Sequence, residues 1–118
     1  MGFVEFKGVP PQVFISIPTG WKMSTFSRAA VEKYDLGTFT SCSLFYDKEA
    51  KQIGVYAYRG NRPEGGVMLA HTGKMETQRK GIRLASFAEA FSLPPREKSG
   101  RCVILDGDDP FDFRIQLP

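Results

Sequence analysis

The stretch GKMETQRKGIR gathers Lys74, Arg79, Lys80 and Arg83 into one short segment. Clustered ammonium and guanidinium groups of this kind neutralise and hydrogen-bond phosphate oxygens, which is the sequence-independent part of nucleic-acid recognition. Arg28 and Arg59 would extend such a face, with Lys33 and Arg62 beside them. Tyr56 and Tyr58 alternate with Val55 and Ala57. On a strand they point away from that apolar pair, where exposed rings can stack on bases. The same residues also fit an ordinary solvated loop and a second covered sheet face.

Other constellations are poor in chemistry. His71 has no acidic or nucleophilic neighbour at a motif spacing, so it reads as a strand-end histidine and not a general base. HTGK and RGNRPEGG both lack the spacing of a phosphate-binding loop, and no G-x-G-x-x-G stands between a strand and a helix. Asp106, Asp108 and Asp109 cluster without the twelve-residue spacing of a calcium loop, and read as a solvated turn. Cys42 and Cys102 lie in no C-x-x-C or Cys/His ligand pattern and read as small buried hydrophobes. The expectation is a protein with no catalytic residues, metal or cofactor.

Positioning such residues needs a folded scaffold, and the composition supports one. The chain has 118 residues, 42% hydrophobic and 13% aromatic, enough for one core and too few for two ordinary domains. Formal net charge is +3 and the sequence pI about 9.0, compatible with a polyanionic partner without demanding one. MGFVEFKGVPP has no basic n-region and no apolar h-region, and no apolar run approaches the roughly 20 residues that cross a bilayer. A cytoplasmic protein with reduced thiols and no membrane partner is expected.

Alternation suggests N-terminal strands between residues 3 and 17, at Phe3 to Phe6 and Val13 to Ile17, split by Gly8 and Pro10-Pro11. Ser27 is placed to cap a short helix whose buried stripe is Ala30, Val31 and Tyr34, with Gly37 to end it. Phe39 to Tyr46 and Gln52 to Tyr58 flank the polar turn Asp47 to Lys51 and form a hairpin. A strand at Val67 to His71, another at Ile82 to Ala85, and a helix from Phe87 to Leu93 capped by Ser86 come next. Strands at Arg101 to Asp106 and Asp112 to Leu117 close the chain around the turn GDDP.

The second half repeats the middle. Val31 matches Ala88, Glu32 Glu89, Tyr34 Phe91 and Leu36 Leu93, all 57 positions apart. Cys42 matches Cys102, Leu44 Ile104, Ile53 Phe113, Val55 Ile115 and Ala57 Leu117, all 60 apart. The difference falls in the loop PPREKSG, where insertion is cheap. Two strand-helix-strand-strand units follow, about 23–58 and about 81–117, packed about a pseudo-two-fold axis because one unit alone cannot cover its sheet.

This order of strand, capped helix ending in leucine, strand, acidic turn and strand resembles the AbrB/SpoVT-type swapped-hairpin unit, with its G-R-x-x-I-P-x-x-[IL]-R-x-x-L-G-I signature. Tyr34 and Leu36 match the L and the final I of L-G-I, as do Phe91 and Leu93 in the second unit; Phe26 and Ser27 stand where the family has Ile-Pro. The segments FSRAAVEKYDL and SLFYDKEAKQIGV are also similar to small uncharacterised bacterial and phage proteins, a likeness that implies no activity. The resemblance implies DNA binding of a transcription-regulator kind.

The sequence is thus read as an α+β domain, mostly antiparallel and barrel-like with two short helices and an internal pseudo-two-fold repeat. It binds DNA by phosphate contact through Lys74, Arg79, Lys80, Arg83, Arg28 and Arg59. The rival reading is a protein-interaction or assembly module of phage or mobile-element type, acting as a homo-oligomer or on another protein through an apolar or β-edge surface.

Overall fold

A computed structural model describes residues 2–5, 12–60, 64–72, 79–108 and 110–118. Strands β1 (Phe14–Ile17), β2 (Met23–Phe26), β3 (Ser41–Asp47), β4 (Gln52–Tyr58), β5 (Val67–Met68), β6 (Ala70–Thr72), β7 (Arg79–Arg83), β8 (Gly100–Asp106) and β9 (Phe113–Gln116) form one sheet. Helices α1 (Arg28–Lys33) and α2 (Ala85–Ala90) lie between strands. The strand order is β5-β3-β4-β9-β8-β1-β2-β7-β6, with antiparallel pairing throughout the described ladders.

The two outermost strands in that order are neighbours in sequence. Cys42 pairs with Val67 and Ser41 with Met68, while Ala70 pairs with Gly81 and His71 with Lys80. Between them Leu69 donates its amide to the Thr40 carbonyl at 2.9 Å and is buried. β5 and β6 are therefore two pieces of one bent strand that serves both sides, and the sheet is a nearly closed eight-stranded barrel. Closure removes the free edges an open sheet would present.

Alternation dictates what fills it. Ile15, Ile17, Phe26, Cys42, Ile53, Val55, Ile82, Cys102, Ile104, Phe113 and Ile115 all point inward and are buried in one cluster. Phe113 sits among aromatic neighbours, with Phe26 perpendicular at 5.7 Å and Tyr34 at 4.9 Å between ring centroids. Edge-on and tilted pairs suit the quadrupoles of the rings.

Local signals explain most elements. The Ser27 Oγ accepts from the Ala30 amide at 3.2 Å and from the Phe14 amide at 3.1 Å, so one hydroxyl caps α1 and fixes the entry of β1. The Asp47 carboxylate accepts from the amides of Glu49 and Ala50, both at 3.1 Å, and sets the β3–β4 turn. Strand β4 joins β9 with Ile53 opposite Ile115 and Val55 opposite Phe113. Beyond that pair the Asp112 carboxylate accepts the Ala57 amide at 2.7 Å, replacing a backbone carbonyl where the ladder ends.

Several expectations are corrected. Residues 2–5 form no strand, and Phe3 and Val4 are fully exposed; Phe6 lies outside the described residues. Helix α2 starts at Ala85, not after Ser86, and the position before it is Leu84, with no side-chain cap. Leu84 is completely buried, so core anchoring takes the place of a polar cap. Helix α1 stops at Lys33 and is turned by Asp35 in a left-handed conformation (φ 53°), not by Gly37. An aspartate tolerates that conformation better than most residues.

Replacing Phe113 by alanine removes the ring that both Phe26 and Tyr34 pack on. It is expected to cost about 3–5 kcal/mol in denaturant-induced unfolding. A loss under about 1 kcal/mol would contradict this packing.

Candidate functional site

The outer face of the β3–β4 hairpin is aromatic. With Ile53, Val55 and Ala57 turned inward, Tyr56 and Tyr58 turn outward, their centroids 4.7 Å apart. Tyr56 is 37% exposed, and Ser43, its cross-strand partner, donates its hydroxyl to the Tyr58 oxygen at 3.4 Å. Gly54 continues the same outward row towards the turn, opposite Phe45 on β3. It carries a borrowed ring: Phe111, from the β8–β9 turn, lies over it so closely that a Cβ at Gly54 would meet three ring carbons at 3.1 Å. Phe45, 49% exposed, packs against Phe111 at 5.2 Å. Phe45, Phe111, Tyr56 and Tyr58 thus form a stripe along one side of the barrel, with a hollow of about 260 Å³ beside Phe45, Gly54, Phe111 and Arg114.

At the Tyr58 end of the stripe stands Arg59. Its guanidinium carbon lies 4.4 Å from the Phe39 ring centroid, and Nη2 is 3.7 Å from the Asp35 carboxylate. Both side chains of that ion pair are largely exposed, so the bond is weak and exchangeable.

The cations expected to act together do not all converge. Lys80, expected to offer its ammonium to phosphate, is instead buried, 5% exposed, and its Nζ donates to the Phe39 carbonyl at 3.2 Å. The reason is alternation: Lys80 shares the inward face of β7 with Ile82. Burial lowers the pKa of its ammonium. Lys80 and Arg59 therefore meet at one residue, Phe39, one at its carbonyl and the other over its ring. Arg28 is exposed and tied to Glu32 at 3.1 Å. Arg83 is exposed opposite Met23, at the other end of the β2–β7 ladder from α1. There it borders a depression of about 780 Å³ with Glu64, Met68 and Phe87. The backbone of Arg79 pairs with Thr72 in β7. Lys74 lies outside the described residues.

The signal that missed Lys80 was present: Lys80, Ile82 and Leu84 occupy alternate positions. The role of Phe111 had no such signal, because it depends on a turn folding back over a glycine on another strand.

Cys42 and Cys102 are free and buried on β3 and β8. Burial pushes the Cys42 thiol up to about 12 and raises Cys102 as well, the latter opposed by the Arg96 guanidinium. Tyr34 donates its hydroxyl to Asp106 at 2.8 Å, and Lys33 pairs with the same carboxylate at 3.1 Å. Burial and Asp106 push Tyr34 to about 12, while the Tyr34 hydrogen bond and Lys33 hold Asp106 below its usual value. Asp106 therefore latches α1 to the β8–β9 hairpin; it is not grouped for a metal. No set of three or more His, Cys, Asp or Glu side chains gathers for an ion among the described residues. No helix among them is long and apolar enough to cross a membrane.

No protein-family model, curated protein or solved structure matches the chain.

A thiol reagent at neutral pH is expected to leave both cysteines unmodified in the native protein and to modify both in denaturant; rapid native reaction would contradict their burial. The folded Cys42 pKa lies above its ordinary 9.0, so its contribution is complete below about pH 9 and declines as pH rises towards about 12. The stability difference between the wild type and Cys42→Ala should therefore shrink over that range, and a constant difference would contradict the assignment.

Proposed function

We propose that this chain is a non-enzymatic nucleic-acid-binding barrel built from two tandem strand-helix-strand-strand units. Its partner is DNA, held by base stacking on the aromatic stripe and by phosphate contacts from basic side chains. The observation that carries the reading is the outward pair Tyr56 and Tyr58, continued by Phe111 and Phe45 and bordered by Arg59. Aromatic rings on an open sheet face with a guanidinium alongside suit a strand whose bases are unpaired. This shifts weight from phosphate contact alone, since Lys80 is buried and Arg28 and Arg59 have carboxylate neighbours. Lys74, Arg79 and Arg83 remain the cations assigned to the DNA backbone.

The tandem architecture draws support from several features. Both helices span six residues. Each is followed by a left-handed residue, Asp35 or Ser92, and then by a leucine. Leu44 faces Val55 in the first hairpin as Ile104 faces Ile115 in the second. Exchanging β1 with the bent β5–β6 strand, β2 with β7, β3 with β8 and β4 with β9 returns the same order around the barrel. Tyr34 lies against Asp106 and Phe91 against Tyr46, with Asp106 and Tyr46 themselves 60 positions apart.

Exposed Val103 (58%) and Phe91 (46%) favour the second reading, a protein-docking module. Its β-edge form loses support, because the ends of the strand order are joined through Leu69.

Fluorescence anisotropy with labelled single- and double-stranded oligonucleotides, at low and moderate salt, separates these readings. Preferential single-strand binding is expected, weakened roughly 10- to 100-fold by Tyr56→Ala with Tyr58→Ala. It should also be weakened, with a shallower salt dependence, by Arg83→Glu. Absence of binding to any probe at low salt, together with a stable oligomer by mass, would overturn the nucleic-acid reading in favour of the docking module.

A further inference from the structure

One end of the barrel holds a cavity separate from the aromatic stripe. It measures about 380 Å³, is partly open to solvent, and is lined by Trp21, Tyr46, Lys51, Leu117, Pro118 and the α2–β8 connection Leu93 to Lys98. That volume falls within the range of small-molecule sites, and barrel mouths are a common place for them. Tyr46 and Leu117 extend the inward rows of β3 and β9, so the floor is the upper layer of the core itself. Leu93, Pro94 and Pro95 add an apolar wall.

The walls are held in place. The Trp21 indole Nε1 donates to the Pro94 carbonyl at 3.0 Å, and the Arg96 Nε donates to the Ile17 carbonyl at 3.1 Å. The Gly20 amide donates to the Arg96 carbonyl at 3.0 Å, and the Leu117 amide to the Lys51 carbonyl at 2.9 Å. Trp21 is held at φ 56°, in the left-handed region that a bulky side chain rarely occupies. Backbone strain of this kind, kept by a surrounding hydrogen-bonded frame, clusters at ligand sites.

Charge defines the occupant. Lys51, Arg96 and Lys98 line the cavity against a single acidic side chain, Glu97. Among the described residues neither Lys51 nor Lys98 enters an ion pair. Arg96, 5.7 Å above the Trp21 ring, is already committed to the frame.

We propose that this cavity is a binding site for a small organic anion with a flat apolar body. The body lies against Trp21, Leu93, Pro94 and Leu117, and the anionic group turns outward to Lys51 and Lys98. The assignment stands on the cavity alone and does not depend on nucleic-acid binding at the aromatic stripe.

Trp21 is the only tryptophan in the chain, so its emission reports the site directly. Anilinonaphthalene sulfonate, an anionic aromatic dye, should quench it saturably with one site per chain. Phenylnaphthylamine, the same ring system without the sulfonate, should bind at least about tenfold more weakly. Lys51→Gln with Lys98→Gln, both on exposed residues, should cost the sulfonate dye about tenfold in affinity and leave the uncharged dye unchanged. Pro95→Phe, which fills the mouth from an exposed position, should abolish binding of both while the melting temperature stays close to wild type. The proposal is overturned if quenching does not saturate, if the two dyes bind equally, or if the folded lysine and proline variants bind the sulfonate dye as the wild type does.

Discussion

The structure depends on one bent strand. Val67–Met68 hydrogen-bonds to β3 on one side, Ala70–Thr72 hydrogen-bonds to β7 on the other, and Leu69 between them drops into the core. A sheet of this length and twist left open would expose two edges and the end of its apolar face. Bending at Leu69 joins those edges and converts the inward rows into an enclosed core. Phe113, Phe26, Ile15, Ile53, Ile82 and Ile115 are each completely buried as a result.

Closure also decides where function can lie. Among the described residues the interior is filled by side chains, which leaves open surface on the outer faces and at the barrel ends. On the β3–β4 side, outward alternation and the Phe111 ring over Gly54 lay aromatic surface along the barrel. At the end bounded by Trp21, the α2–β8 connection leaves a cavity lined by Lys51 and Lys98, neither of which enters an ion pair among the described residues. The inward position of Lys80 follows from the same geometry: a cation on the core side of β7 stretches to the carbonyl of Phe39, the residue whose ring Arg59 covers. That contact fastens Phe39 to β7.

Much of this was legible in the chain. The β3–β4 hairpin follows from its alternation around an aspartate turn, and Ser27 caps α1 as a serine before an apolar-striped helix should. The burial of Cys42 and Cys102 was readable from their place before apolar runs. Other features depend on partners remote in sequence. Helix α2 begins at Ala85 because Leu84 is anchored in the core, a tertiary contact that overrides the local serine signal. The N-terminal alternation at Phe3 to Glu5 forms no strand, since period alone supplies no partner. Phe111 over Gly54 and Trp21 against Pro94 join segments far apart in the chain, and composition or spacing gives no sign of either.

The claim that a single bent strand closes the barrel is tested most directly by native-state hydrogen exchange at the Leu69 amide. That amide is bonded to the Thr40 carbonyl at 2.9 Å. Closure requires it to exchange only with global unfolding, with the same protection as the amides of Ile53 and Ile115 in the β4–β9 ladder. Early exchange at Leu69, with β5 and β6 opening while the β4–β9 amides stay protected, would contradict it.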